Sequence, residues 1–359
     1  MSRPTFLTID LQALRHNLEC VHELALGSAV IAMVKANAYG HGIVRAAQAL
    51  SAADAFGVAS LDEGLMLREA GITQPVFLME GLFNSDELAI ADKNNFTLIV
   101  HHLPHVEILE KGRVEKPLSV WLKINTGMHR LGILPKQLDD VYQRLLAAPS
   151  VKKPIGLMTH FAEADMLESS ATDKQIQLFK QLTMNLQGPR SMANSAGILA
   201  WPASKADWVR PGLMLYGASP LPNKTGLDFN LQPVMTLSSQ IIAINSVNKG
   251  GKVGYGGTWT APEDMRVGVV GVGYGDGYPQ RTQSGAPVLV DGVECELVGR
   301  VSMDMLTVDL RKLPSAHIGS SVVLWGKGLP VERVANYSQS SAYEILTRMT
   351  PRPTLLLSP

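Results

Sequence analysis

AVIAMVKANAYGHG, residues 29–42, carries the decisive pattern of this chain. Six apolar residues of strand length run without alternation and end directly on Lys35. A strand that is apolar on both faces belongs in a sheet covered on both sides, the usual state of a parallel sheet. Similar runs recur downstream: Ala55–Ala59, Val76–Met79, Thr97–Val100, Val120–Ile124, Ile155–Thr159 and, shorter, Ser191–Ala193 and Asp207–Val209. Amphipathic stretches of helical length separate them, such as LDEGLMLREAG from Leu61 and DKQIQLFKQLTMNL from Asp173. Strand and helix alternating through about eight cycles predict a parallel sheet closed into a TIM-type (β/α)8 barrel.

The texture changes after about residue 230. Leu237–Ile244, Val267–Val272, Val288–Val290, Leu306–Leu310 and Val322–Leu324 read as strands, separated by glycine-rich or Asp-Gly turns in KGGKVGYGG, YGDGYP and VDGVE. These are hairpin signals and predict a C-terminal mainly-β domain. The expected division is a barrel over 10–230 and a β domain over 231–359, with the N-terminal strand 1–9 pairing with the latter. A helix is expected near Ala342–Arg348.

The composition narrows the function classes. Lys plus Arg equal Asp plus Glu at 32 each, so the chain carries no electrostatic footprint for nucleic acid or for an anionic membrane. No apolar run approaches the roughly 18 residues of a membrane span. Cys20 and Cys295 form neither a metal pattern nor a disulfide framework. The opening MSRPTFLTIDLQALRHN lacks the apolar core of a signal peptide, which makes the cytoplasm the expected location.

Catalytic groups of such barrels come from the carboxyl ends of the strands. Lys35 follows the first run, Glu80 the third, His160 the sixth, Asn194 and Ser195 the seventh and Arg210 the eighth, while Lys123 lies within the fifth. Cations and hydrogen-bond donors at so many strand ends suit an anion such as phosphate. A lysine held against an apolar floor loses hydration, which favours the neutral, nucleophilic amine and Schiff-base chemistry. GVGYGDG, residues 271–277, lacks the spacing and the strand–helix context of a dinucleotide loop. Tyr255 stands among glycines in VGYGGTW, where a packing role is the commoner one, and a phenol needs cationic neighbours to act as a base. His160 in MTHFAEAD has no His or Cys cluster beside it in the sequence, so no metal is expected.

VKANAYGHG, LKINTGMHRLG, NSAG, VRPGLMLYG, VGYGGTW, GYGDGYP, GRVSMDM and AYEILTR occur in this order between residues 34 and 348. Together they resemble the signature segments of the bacterial alanine racemases, fold-type III enzymes that use pyridoxal 5'-phosphate (PLP). The resemblance implies a two-base interconversion of L- and D-alanine in a head-to-tail homodimer with shared active sites. It serves either D-alanine supply for the cell wall or alanine catabolism.

By the same resemblance, Lys35 carries the cofactor and Tyr255 is the opposing base. Tyr39, Tyr343, Ser195, Gly212 and Leu213 bind the phosphate, with Asn194 beside them. Arg210 faces the pyridine nitrogen, and His160 links it to the catalytic tyrosine. Arg130 and Met303 meet the substrate carboxylate, and Lys123 matches a lysine often carbamylated in the family. Tyr274 and Asp304 match entrance positions. Ser302 and Gln280 depart from the family pattern near that entrance, leaving substrate breadth, for example toward serine, open. Two neighbouring families are alternatives. PLP-binding regulatory proteins resemble a lone barrel, and fold-type III decarboxylases carry glutamate where this chain has Arg210.

Overall fold

The computed structural model describes residues 3–358. The chain opens on β1 (Phe6–Asp10), and Asp10 caps the following helix, Leu11–Leu24, by accepting a 2.9 Å hydrogen bond from the Ala13 amide. Eight parallel strands follow: β2 (Ala29–Met33), β3 (Ala55–Val58), β4 (Val76–Leu78), β5 (Phe96–Val100), β6 (Leu118–Lys123), β7 (Val151–Met158), β8 (Arg190–Ser191) and β9 (Trp208–Val209). They close into a barrel, with β9 returning to β2 through Ala29↔Trp208 and Val30↔Val209. The predicted barrel is therefore present, and the two short runs are its two-residue strands β8 and β9. The amphipathic stretches are helices, including Leu61–Glu69 and Ala171–Thr183, the latter starting two residues before the sequence pattern suggests.

The second module is one sheet of eight strands. It contains β10 (Met235–Val247), β13 (Met265–Val270), β14 (Pro287–Val290), β15 (Val293–Leu297), β16 (Leu306–Asp309), β17 (Ser321–Trp325) and β18 (Thr354–Ser358), together with β1. The small hairpin of β11 (Lys252–Val253) and β12 (Trp259–Thr260) stands apart from it. The long β10 pairs with β1 and β17 through its first half and with β13 through its second, with a register shift between Ile241 and Ala243. That irregularity lets one strand turn the corner of the module. β1 lies between β10 (antiparallel) and β18 (parallel), so both ends of the described chain sit in the same sheet.

Sequence patterning missed β15 and β18. In β15 (VECEL) the charged residues face outward, and the run is too polar to stand out. In β18 the leucines remain largely exposed, so no alternation marks it. The helix Val331–Ser338 was also missed, and the late helix spans Ala342–Thr347.

One apolar core runs through the barrel and the β module, and a second small cluster of Val253, Ala261, Met265, Val267 and Val298 supports the hairpin that bears Tyr255. Asn17 seals the seam between the first helix and the barrel exit. Its side chain is fully buried, donates to Leu215 O (3.0 Å) and Gln232 O (2.8 Å), and accepts from Gln232 N (2.8 Å). Replacing Asn17 with leucine leaves these backbone groups buried and unpaired, which costs about 3 kcal/mol. Urea denaturation of Asn17→Leu should show a loss of that size.

Candidate active site

β2 delivers its chain into an uncommon conformation. Ala36, Asn37, Ala38 and Tyr39 all adopt φ of 52–53°, a left-handed turn made of residues that are not glycine. Each such residue costs roughly 1–2 kcal/mol, so the turn persists only because its surroundings impose it. Glu63 Oε1 accepts from Ala36 N (2.7 Å), and Asn37 Oδ1 accepts from Ile43 N (2.9 Å). His41 Nδ1 donates to Ala38 O (3.0 Å) and Tyr39 O (2.9 Å). The Tyr39 ring stacks on Tyr216 at 4.8 Å, and Tyr216 Oη donates to Met33 O (2.8 Å). The turn ends on Gly40, with φ of 84° and the Leu346 backbone packed so close that a side chain would strike it.

This turn brings Lys35 and Tyr39 to one cavity of about 680 Å³ at the carboxyl ends of the strands. Lys123, Arg130, His160, Asn194, Ser195, Arg210, Gly212, Leu213 and Tyr343 line the same space. Eleven of the site residues named from the sequence therefore share one cavity. Glu80 is the barrel carboxylate in that lining. Tyr216 and His41, which hold the turn, were not singled out from the sequence, although both lie in the quoted signature segments. An apolar or aromatic neighbour carries no chemical flag of its own.

The cations crowd one another. Burial drives Lys123 down to about 7, with Arg210, Arg130 and Lys35 adding repulsion. Lys35 is lowered by burial and by Arg130, and Glu80 opposes that shift. Burial and then Arg210 and Lys123 push His160 well below the ordinary histidine range, so its ring is neutral. Arg210, brought down by burial to about 10, stays charged at neutral pH. It donates to Ser191 Oγ (2.6 Å), Thr159 O (2.5 Å) and Met192 O (3.2 Å), and to His160 Nδ1 (3.2 Å). A guanidinium can only donate, so His160 accepts on Nδ1 and carries its proton on Nε2. Arg210 Nε–H and one Nη1–H enter none of these bonds, which leaves donors for an acceptor in the cavity.

The opposite end of the cavity is a cradle of donors. Ser195 Oγ accepts from the amides of Gly212 (2.9 Å) and Met214 (3.3 Å), and Asn194 caps the short helix Ser195–Ala200 through Gly197 N (2.9 Å). Any side chain at Gly212 would collide with the Tyr39 hydroxyl. Burial and the neighbouring Tyr343 raise Tyr39, and burial pushes Tyr343 up to about 12, so both phenols keep their protons and can donate. Amides, a serine and two protonated phenols around a closed backbone approach suit a phosphate. A spare Arg210 donor suits a ring nitrogen, and Lys35 suits a carbonyl carbon.

Tyr255, Tyr274, Met303 and Asp304 do not line this cavity. Tyr255 is 72% exposed and Met303 53% exposed, both on the β module. Tyr274 lines a separate cavity with Gln280 and Arg281. Asp304 is tied to Arg352 (2.5 Å), and its carbonyl accepts from Arg3 (2.8 Å). Arg3 also grips the buried carboxylate of Asp276 with both Nη atoms, at 2.8 and 2.9 Å. The loops bearing Tyr274 and Met303 are thus fixed, outside the lining of the Lys35 cavity.

Two family models cover almost the whole chain. The one described as alanine racemase, N-terminal domain, matches residues 9–220, and the one described as alanine racemase, C-terminal domain, matches residues 234–356. The chain belongs to the alanine racemase family. The biosynthetic alanine racemase of Escherichia coli O6:H1 is 50% identical over 345 residues, 96% of each chain. The alanine racemase of Vibrio parahaemolyticus is 50% identical over 344 residues, again 96% of each. Among solved structures, the biosynthetic alanine racemase of Pseudomonas aeruginosa superposes with a TM-score of 0.96 at 41% identity, over 99% of this chain and 100% of that one. The alanine racemase family match of the C-terminal region excludes the lone-barrel alternative, and Arg210 is not the glutamate of the decarboxylases.

The depressed Lys123 amine has a consequence for stability. Between about pH 7 and the ordinary lysine range near 10.4, the unfolded chain binds a proton there that the folded chain does not. Stability contributed by this group therefore rises with pH across that window. Denaturation of the cofactor-free protein should show higher stability at about pH 9 than at about pH 7, and a smaller difference in Lys123→Met.

Proposed function

We infer that this chain is an alanine racemase, an isomerase that interconverts L- and D-alanine with PLP as cofactor. The observation that carries the cofactor assignment is the donor set of one cavity: a desolvated lysine, a buried arginine with an unused Nε, and a phosphate-shaped cradle. Lys35, Tyr39, Ser195, Arg210, Gly212, Leu213 and Tyr343 would hold PLP, with His160 and Asn194 bracing the arginine and the cradle. When bound, PLP supplies an electron sink for the pair left at the substrate α-carbon.

The chain's own groups do the rest. Lys35 Nζ anchors the cofactor and moves the α-proton on one face, that of D-alanine. Arg210 can only donate, so a ring nitrogen facing it keeps its lone pair, and proton handling by the two bases must compensate for a weaker sink. Arg130, exposed at the cavity rim, pairs with the substrate carboxylate. Lys123 is close to neutral and buried, the state in which an amine can take up carbon dioxide as a carbamate. The negative charge so gained would offset the surrounding cations and hold Arg130.

Racemisation needs a second base on the opposite face, and the barrel mouth offers none of the right kind. The exposed Tyr255 and Met303 support a head-to-tail homodimer in which the partner's Tyr255 moves the α-proton of L-alanine and the partner's Met303 amide meets the carboxylate. The cations Arg130 and Arg210 at the mouth stabilise a phenolate there. Tyr274 and Asp304 then border the entrance, and the crowd of phenols restricts the substrate to a small side chain. No helix of the described residues is long and apolar enough to cross a membrane, and we place the enzyme in the cytoplasm.

Circular dichroism of L-alanine solutions should decay to zero with the purified chain. Lys35→Ala should lose both the activity and the visible absorbance of lysine-bound pyridoxal. Tyr255→Phe should keep that absorbance and lose about 10²–10⁴ in kcat, the scale of a general acid–base group. Mixing the two inactive variants tests the shared site. Each mixed dimer has one intact Lys35–Tyr255 pair, so equal mixing should restore about one quarter of wild-type activity. No recovery on mixing would contradict the shared site.

A further inference from the structure

Three histidines at the carboxyl end of β5 have no part in the chemistry above. His101 and His102 follow the strand, and His105 lies in the first turn of the helix Leu103–Lys111. One ring nitrogen from each falls within 4.8 Å of the other two. The ring centroids of His102 and His105 are 3.8 Å apart, those of His101 and His105 4.5 Å, and those of His101 and His102 4.6 Å. The expectation of no metal rests on the surroundings of His160 and on the two cysteines, not on this segment. The cluster forms because a strand end and the first helical turn fold back on each other.

Two of the rings are held in a defined tautomer. His101 Nε2 bonds to Glu80 O and His105 Nε2 to Leu82 O, each at 2.8 Å. A carbonyl oxygen only accepts, so both rings carry their proton on Nε2 and a lone pair on Nδ1. The His105 Nδ1 is buried without any hydrogen-bond partner in a residue only 4% exposed. An unmatched buried acceptor is destabilising and calls for a donor or a cation. An imidazole that donates its far nitrogen to a backbone carbonyl is also the usual way a metal-ligating histidine is oriented. His102 is exposed and completes the set from the solvent side.

We propose that His101, His102 and His105 form a binding site for a divalent transition-metal ion of the zinc class, with a fourth position open to water. Three imidazoles suit Zn²⁺, Ni²⁺ or Co²⁺ and do not suit Mg²⁺ or Ca²⁺, which take oxygen ligands. All three ligands are neutral, and Lys123 stands close enough to His101 to repel added charge, so affinity depends on the nitrogens alone. The ion ties the segment Glu80–Leu82 to the start of the helix Leu103–Lys111. Glu80 lines the catalytic cavity, so the clamp braces one wall of the barrel mouth. The site stands independently of the cofactor assignment.

The test uses the holoenzyme after dialysis against a chelator. Calorimetric titration with Zn²⁺ should give one ion per chain, and Co²⁺ should give the visible absorption of a tetrahedral nitrogen site. Zn²⁺ should also raise the Tm in proportion to its logarithm of concentration. His102→Ala removes only an exposed ring and should abolish all three signals while leaving kcat and KM in metal-free buffer unchanged. His105→Gln should likewise abolish Zn²⁺ binding. Absence of binding to the wild-type chain, or equal binding by either variant, overturns the proposal.

Discussion

The left-handed turn at residues 36–39 is the constraint on which the site depends. Four non-glycine residues held at positive φ reverse the path of the chain immediately after Lys35. The amine and a phenol four residues further on both reach one cavity along this left-handed path. The turn is unfavourable by itself. It is imposed by Glu63, Asn37, His41 and the Tyr216 ring, each from a different distance along the sequence. The barrel therefore spends packing and hydrogen bonding on local strain, as active sites commonly do.

A second cost is electrostatic. Lys35, Lys123, Arg130 and Arg210 converge on one cavity with Glu80 and Glu344 as the carboxylates in its lining. Burial first, and that crowding second, depress Lys123 and keep His160 neutral. Such a mouth favours anions, and a phosphate at the cradle and a carboxylate at the rim, as proposed above, would relieve the repulsion.

The β module contributes differently. The Arg3–Asp276 and Arg352–Asp304 pairs fix its loops rigidly, and a small separate core supports the Tyr255 hairpin. Rigid loops that expose a tyrosine and a methionine are suited to docking against a second surface. In this fold the catalytic mouth and the groups that complete it lie on different parts of the chain. In the proposed head-to-tail dimer, a partner would bring them together.

The barrel was legible in the sequence because about eight cycles of apolar run and amphipathic helix match a closed parallel sheet, and the polar groups at the strand ends were legible with it. Lys35, Arg210 and Ser195 were legible because each ends or follows a run whose direction is fixed by the barrel. Only the tertiary packing set the handedness of the turn at 36–39, since the one residue there with a local leaning to positive φ is Asn37, and alanine and tyrosine have none. It alone decided the depressed Lys123, because burial and the cations around it come from distant strands. It also left Tyr255 outside the lining of its own barrel's cavity, a separation set by how distant segments pack. Periodicity reports which face of an element is buried. Which side chains then meet is fixed by packing between elements, and no local pattern encodes that.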